Sequence, residues 1–111
     1  MKVVWTLAAL TERNRLVSFI AQDNVAAALD IDDRLTHMAE SLATFPFRGR
    51  NGRDGFSKEL VVHKNYLLVY GIDEATDTIY IKAVLHAARQ YPPDSPGQTV
   101  SERLIPRSGS K

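Results

Sequence analysis

Cysteine is absent from the 111 residues, which excludes disulfides, thiolate nucleophiles and cysteine-based metal sites and suits a reducing compartment. Long apolar runs are missing too. No stretch approaches the roughly 20 apolar residues that span a bilayer. The start, Met1-Lys2-Val3-Val4-Trp5, passes at once into a polar helical pattern and lacks the longer apolar run of a signal peptide. A cytoplasmic protein with no membrane contact is expected. An excess of one charge is also lacking: 14 Lys and Arg against 13 Asp and Glu leave a net of +1, far from the strong cationic field that gripping structured RNA demands. The three histidines, His37, His63 and His86, lie far apart without ligand spacing, and carboxylates gather only at Asp30, Asp32 and Asp33. Neither a metal site nor a cofactor is expected.

What is present fits one small α+β domain. A hydrophobic share of 44% supports a single, thin core. Val3, Val4 and Trp5 suit a first strand, and Thr6 is placed to cap a helix running to about Ala21, with Leu10, Leu16, Val17 and Ile20 as its apolar stripe. In a second helix over residues 25–44, Ala28, Ile31, Leu35, Met38, Leu42 and Phe45 recur at threes and fours, the mark of a helix packed on one side. Asp23 and Asn24 supply turn and capping chemistry, so the two helices should fold back as a hairpin. Phe45-Pro46 ends the second helix, because the residue before proline is pushed out of the helical region.

Residues 47–55, with three glycines and no apolar period, read as a loop. From residue 56 to 62 the chain alternates, with Lys58, Leu60 and Val62 on one face and Glu59, Val61 and His63 on the other. His63-Lys64-Asn65 reverses it into a strand over residues 66–72, residues 73–77 turn it again, and a long strand over residues 78–86 follows. These strands make an antiparallel sheet with one face under the helices. Residues 1–91 therefore form the domain. Residues 92–111 carry four of the five prolines among Ser, Gly and Thr, and form a tail unable to build a core.

The net charge hides a polarity along the chain. Residues 1–45 hold four cations against six carboxylates, a net of −2, whereas residues 46–91 hold seven against five, a net of +2. Most of that surplus falls early, at Arg48, Arg50, Arg53, Lys58 and Lys64. The loop Arg48-Gly49-Arg50-Asn51-Gly52-Arg53 pairs pliable backbone with guanidinium forks that suit phosphate oxygens. It lacks the spacing of a nucleotide-binding P-loop, and a solvated turn is the plain alternative. Lys58 and Glu59, adjacent on a strand, point to opposite faces, and a cross-strand ion pair is the simple reading. Tyr66 and Tyr70 share a face with Leu68 and Ile72, which makes them core or core-edge residues with hydroxyls at the rim.

The segment Lys58-Glu59-Leu60-Val61-Val62-His63-Lys64-Asn65-Tyr66-Leu67-Leu68-Val69-Tyr70, followed by Val84-Leu85-His86-Ala87-Ala88-Arg89-Gln90-Tyr91-Pro92, resembles the RelE/ParE family, the toxins of bacterial type II toxin–antitoxin modules. The likeness extends weakly over residues 3–91 and is nearest to the ParE-like branch. Two positions depart from it: the family often has Arg where this chain has Lys58 and Gly71.

The resemblance implies a β-α-α-β-β-β domain that inhibits growth in modules associated with plasmid stabilisation. It also implies a cognate antitoxin that neutralises the domain in a hetero-oligomer. Three activities stand open: a ParE-like protein that traps DNA gyrase without catalysis, a RelE-like endoribonuclease cutting mRNA at the ribosome, and an antitoxin-binding module without toxicity. For the second, the resemblance implies His86 as acid or base, Lys58 or Arg89 as the cation for the phosphorane, and Tyr91 as a stacking platform. For target binding it points to Arg48, Arg50, Arg53, Lys58 and Arg89.

Overall fold

Strand β1 (Lys2–Trp5) delivers the chain to Thr6, whose hydroxyl accepts a hydrogen bond from the Ala9 amide at 3.1 Å and donates to the Ile81 carbonyl at 2.9 Å. One side chain thus starts helix α1 (Leu7–Asp23) and fixes it to the sheet. Asn24 serves both helices of the hairpin. Its amide closes α1 on the Ile20 carbonyl at 2.9 Å, and its side-chain oxygen accepts from Ala27 N at 3.0 Å to begin α2 (Val25–Ser41). The computed structural model describes residues 1–86; Arg89, Tyr91 and the tail 92–111 lie outside the described residues.

Helix α2 stops at Ser41, three residues before the expected end. The Leu42 amide turns back to Ala39 O, so the last turn tightens and drops Leu42 into the core. Phe45 then leaves the stripe and stands 62% exposed. In α1 the inward positions are Ala9, Leu16 and Ile20, with Leu10 turned outward.

Four strands follow: β2 (Arg50–Asn51), β3 (Lys58–His63), β4 (Tyr66–Asp73) and β5 (Thr78–His86), in the sheet order β1-β5-β4-β3-β2. The expected antiparallel pairing holds among β3, β4 and β5, and β2 adds to β3 in the same antiparallel sense. β1 adds to β5 in parallel, Lys2 opposite Thr78 through Trp5 opposite Ile81, a pairing that the long connection through the helical hairpin and β2 to β4 permits. The helices cover one face. There Ile31, Leu35, Ala39 and Leu42 pack with Leu60, Val62, Leu68, Tyr70, Ile79, Ile81 and Val84. A bulge on β5 makes Lys82 an extra residue opposite the step from Val69 to Tyr70 on β4, without a partner in the register. The expected loop over residues 47–55 contains the short strand β2. A two-residue strand has no periodicity to announce it, and it exists because Arg50 and Asn51 pair with Glu59 and Lys58.

Arg13 ties three elements together. Its guanidinium donates to the Asp32 carboxylate at 2.8 Å, to the Asp32 carbonyl at 3.1 Å and to the Thr36 hydroxyl, while lying 4.7 Å over the Trp5 ring.

Candidate functional site

The corner where α2 gives way to β2 and β3 is built around Tyr70. This ring sits in the core without exposure. Its hydroxyl donates to the Pro46 carbonyl at 2.8 Å and accepts from the Gly49 amide at 3.0 Å. Burial pushes the phenol's pKa above its ordinary value, an effect offset in part by the bond from Gly49 and the nearby Arg48 charge. Only a residue without a side chain fits position 49. A Cβ there would lie 2.7 Å from the Tyr70 hydroxyl and 2.8 Å from the Glu59 carbonyl. The polypeptide from Pro46 to Gly49 is thus pinned, and the side chains it carries point outward: Phe47 is 62% exposed and Arg48 bonds the Ser41 hydroxyl at 2.9 Å.

Arg50 answers for the charge of Glu59. The two are paired in register across β2 and β3, with Arg50 Nε 3.1 Å from Glu59 Oε1. Glu59 is only 2% exposed, and its second oxygen has no hydrogen-bond partner among the described residues. The cross-strand ion pair expected near Lys58 and Glu59 is therefore made by Arg50. Lys58 instead reaches Asn51 Oδ1 at 3.1 Å and lies 5.6 Å over the Phe47 ring. Arg53 is exposed in the turn between β2 and β3. Asp54 holds that turn by accepting from Phe56 N and Ser57 N at 2.9 and 2.8 Å. Arg48, Arg50, Arg53 and Lys58 consequently lie at the same end of the sheet, with Arg50 beside Glu59 on one face and Lys58 beside Asn51 on the other.

His86 does not share it. Lys58 stands opposite Tyr70 and His86 opposite Tyr66, so four positions of β4 separate the rows, about 13 Å at the rise of a strand. At that far end three rings line up across the strands. The His63 and Tyr66 centroids are 6.1 Å apart, and Tyr66 and His86 meet edge to face at 5.2 Å. His63, expected as a plain turn residue, belongs to this row and accepts from the Asn65 amide at 3.4 Å.

Several residues were silent in the sequence. Glu12 on α1 accepts from the Val84 amide at 3.0 Å, capping the part of β5 that outruns β1. Desolvation raises its pKa above the usual value, against the lowering pull of the Val84 bond and Arg15. Lys82 crosses over Gly71 to bond the Ser57 hydroxyl at 3.0 Å, with its Cε 2.8 Å from where a Gly71 Cβ would stand. A cation therefore lies beside the residue-71 backbone although residue 71 bears none. Its signal was a lone lysine in the strand of residues 78–86, detectable only once the bulge is known.

A helical hairpin laid over one face of a mixed sheet is the fold of known small toxins. The family described as ParE toxin of type II toxin-antitoxin system, parDE, matches residues 3–91. The chain belongs to that family. Toxin RelE2 of Caulobacter vibrioides is 36% identical over 88 residues, covering 79% of this chain and 97% of that protein. Y4kP of Sinorhizobium fredii is 32% identical over 92 residues, 82% of this chain and 93% of that one. In fold, the chain is similar to the chromosomal ParDE toxin–antitoxin system from P. aeruginosa, at a TM-score of 0.67 and 13% identity over 78% of this chain and 95% of that one. Among the described residues no helix is long and apolar enough to cross a membrane.

Proposed function

We propose that this toxin acts in the cytoplasm by binding DNA gyrase and holding its cleaved complex, without catalysing a reaction itself, and that a cognate antitoxin neutralises it in a hetero-oligomer. The observation that carries the reading is the separation along β4. Acid–base cleavage of RNA needs its proton carrier and its phosphate-binding cation on one scissile group. Here the row of Lys58 lies about 13 Å along β4 from the row of His86. Arg48, Arg50, Arg53 and Lys58 at one end of the sheet, on a segment tied down by the Tyr70 hydroxyl and the Asp54 carboxylate, suit recognition of a protein–DNA surface. The ParE description of the matched family supports the same branch.

The name of the Caulobacter relative, RelE2, favours a second reading as an endoribonuclease, in which His86, with Arg89 and Tyr91, would act apart from Lys58. Both readings are tested with the purified protein. Gyrase supercoiling and cleaved-DNA accumulation are measured beside cleavage of mRNA on programmed ribosomes. Accumulated cleaved DNA with intact mRNA is expected. Cut mRNA with unaffected gyrase would reverse the assignment, and inactivity in both assays, with antitoxin binding retained, would leave a non-toxic binding module. In the growth assay, Arg50→Ala and Lys58→Ala should weaken toxicity in steps while His86→Ala retains it.

A further inference from the structure

Next to the basic corner lies an open hollow of about 410 Å3, and its walls differ in chemistry. Phe47, Phe56 and Lys58 line it together with Tyr70 and Ile72 of β4, and Asp73 and Glu74 line it from the end of that strand; Lys58 stands opposite Tyr70, so Asp73 lies about 10 Å further along β4. Phe56 is 89% exposed and Phe47 62%. Neither exposure comes from a slack loop. Phe47 is anchored through its neighbours Pro46 and Gly49 by the Tyr70 hydroxyl, and the Phe56 amide is bonded to Asp54. A fold that spends hydrogen bonds to hold two phenylalanines in water presents them to something.

From this asymmetry we infer that the hollow docks a segment of a partner protein in which large apolar side chains are flanked by carboxylates on one side and by a basic group on the other. The apolar pair fills the space between Phe47, Phe56 and Ile72. The carboxylates meet Lys58, and the basic group meets Asp73 and Glu74. Charge complementarity selects a peptide over a nucleic acid, because a polyanion would gain at Lys58 and be repelled along the acidic rim. The inference is independent of which cellular target the toxin strikes.

The test uses the full chain and three fluorescent synthetic peptides read by anisotropy. The first has an acidic half, a central Leu-Phe pair and a basic half; the second is acidic on both sides of the same pair; the third replaces the pair of the first with Gly-Ser. The first should bind saturably, and the third at least about tenfold more weakly. Phe47→Ala combined with Phe56→Ala should cost a similar factor, and both residues are exposed enough for the variant to fold. Glu74→Lys should weaken the first peptide and strengthen the second, opposite changes that a general loss of structure cannot produce. Equal binding of the first and third peptides would overturn the inference, as would indifference to the double substitution. Tighter binding of oligothymidylate than of the first peptide would assign the surface to nucleic acid instead. Self-association abolished by the double substitution would assign it to a second copy of the chain.

Discussion

The Tyr70 hydroxyl and the Gly49 amide are 3.0 Å apart, and through that bond the most buried aromatic ring of the sheet fixes the backbone that displays the basic corner. Removing the hydroxyl in Tyr70→Phe keeps the ring's packing and deletes both the bond from Gly49 and the bond to Pro46. A loss of about 1–3 kcal/mol is expected in chemical denaturation. Because burial holds the native phenol above its ordinary pKa of 10.0, the unfolded chain ionises first as pH rises. The stability contributed by the protonated phenol is complete below pH 10.0 and is lost as pH climbs through the native value. Tyr70→Phe should show less of this alkaline loss.

Gly49→Ala should be at least as costly. A methyl group placed 2.7 Å from the Tyr70 oxygen and 2.8 Å from a backbone carbonyl must move one of them, and such overpacking costs roughly 1–3 kcal/mol. A melting temperature equal to that of the parent would show that the corner is pliable.

Glu12 gives a test of the same sign in a lower pH range. Its raised native pKa means that stability is present below the ordinary value of 4.5 and lost as pH rises through the native value. Glu12→Gln keeps an oxygen for the Val84 amide and has no charge to desolvate, so it should raise the melting temperature at neutral pH and leave it nearly unchanged near pH 4. Glu12→Ala orphans the amide of a buried residue and should cost about 1–3 kcal/mol.

Arg13→Lys should behave as a disruptive change. The planar fork that serves Asp32 and Thr36 while lying over Trp5 cannot be copied by an ammonium. A loss of about 1–3 kcal/mol is expected, with an altered Trp5 emission as the local readout. Unchanged emission would mean that the cation does not occupy the ring face in solution.

Asp77, at a φ of 54°, sits in a backbone region that asparagine and glycine tolerate and β-branched residues do not. Asp77→Asn should be nearly neutral in denaturation, while Asp77→Val should lose about 1–3 kcal/mol.

The elements that could be read in the sequence are those whose order is local. Ile31, Leu35, Met38 and Leu42 announce their helix at threes and fours, and the alternation around Leu60, Val62, Leu68 and Tyr70 announces the sheet face it covers. Relations between distant segments were not legible. β1 pairs with β5 across more than 70 residues, a match that no periodicity encodes. Glu59 alternates outward and is still buried, because Arg50, nine residues earlier, returns as a short strand against it. For the candidate site, the sequence offered the cations Arg48, Arg50, Arg53 and Lys58 and drew His86 toward them. Strand register, invisible in composition, places that histidine at the other end of β4 beside Tyr66 and His63. The exposed Phe47 and Phe56 gave no signal, since a phenylalanine is ordinarily read as core.

The parallel pairing of β1 with β5 also sets a schedule for synthesis. β1 is translated long before β5, its partner and the last strand described, and the Thr6 hydroxyl that begins α1 is completed only by Ile81. A nascent chain therefore carries its helical hairpin for most of its translation with no finished surface to cover, and contacts of such high order make closure slow. Truncation anywhere before β5 leaves β1 with no strand to join. A cell making this protein thus meets a folded toxin only after nearly all of the domain has been translated.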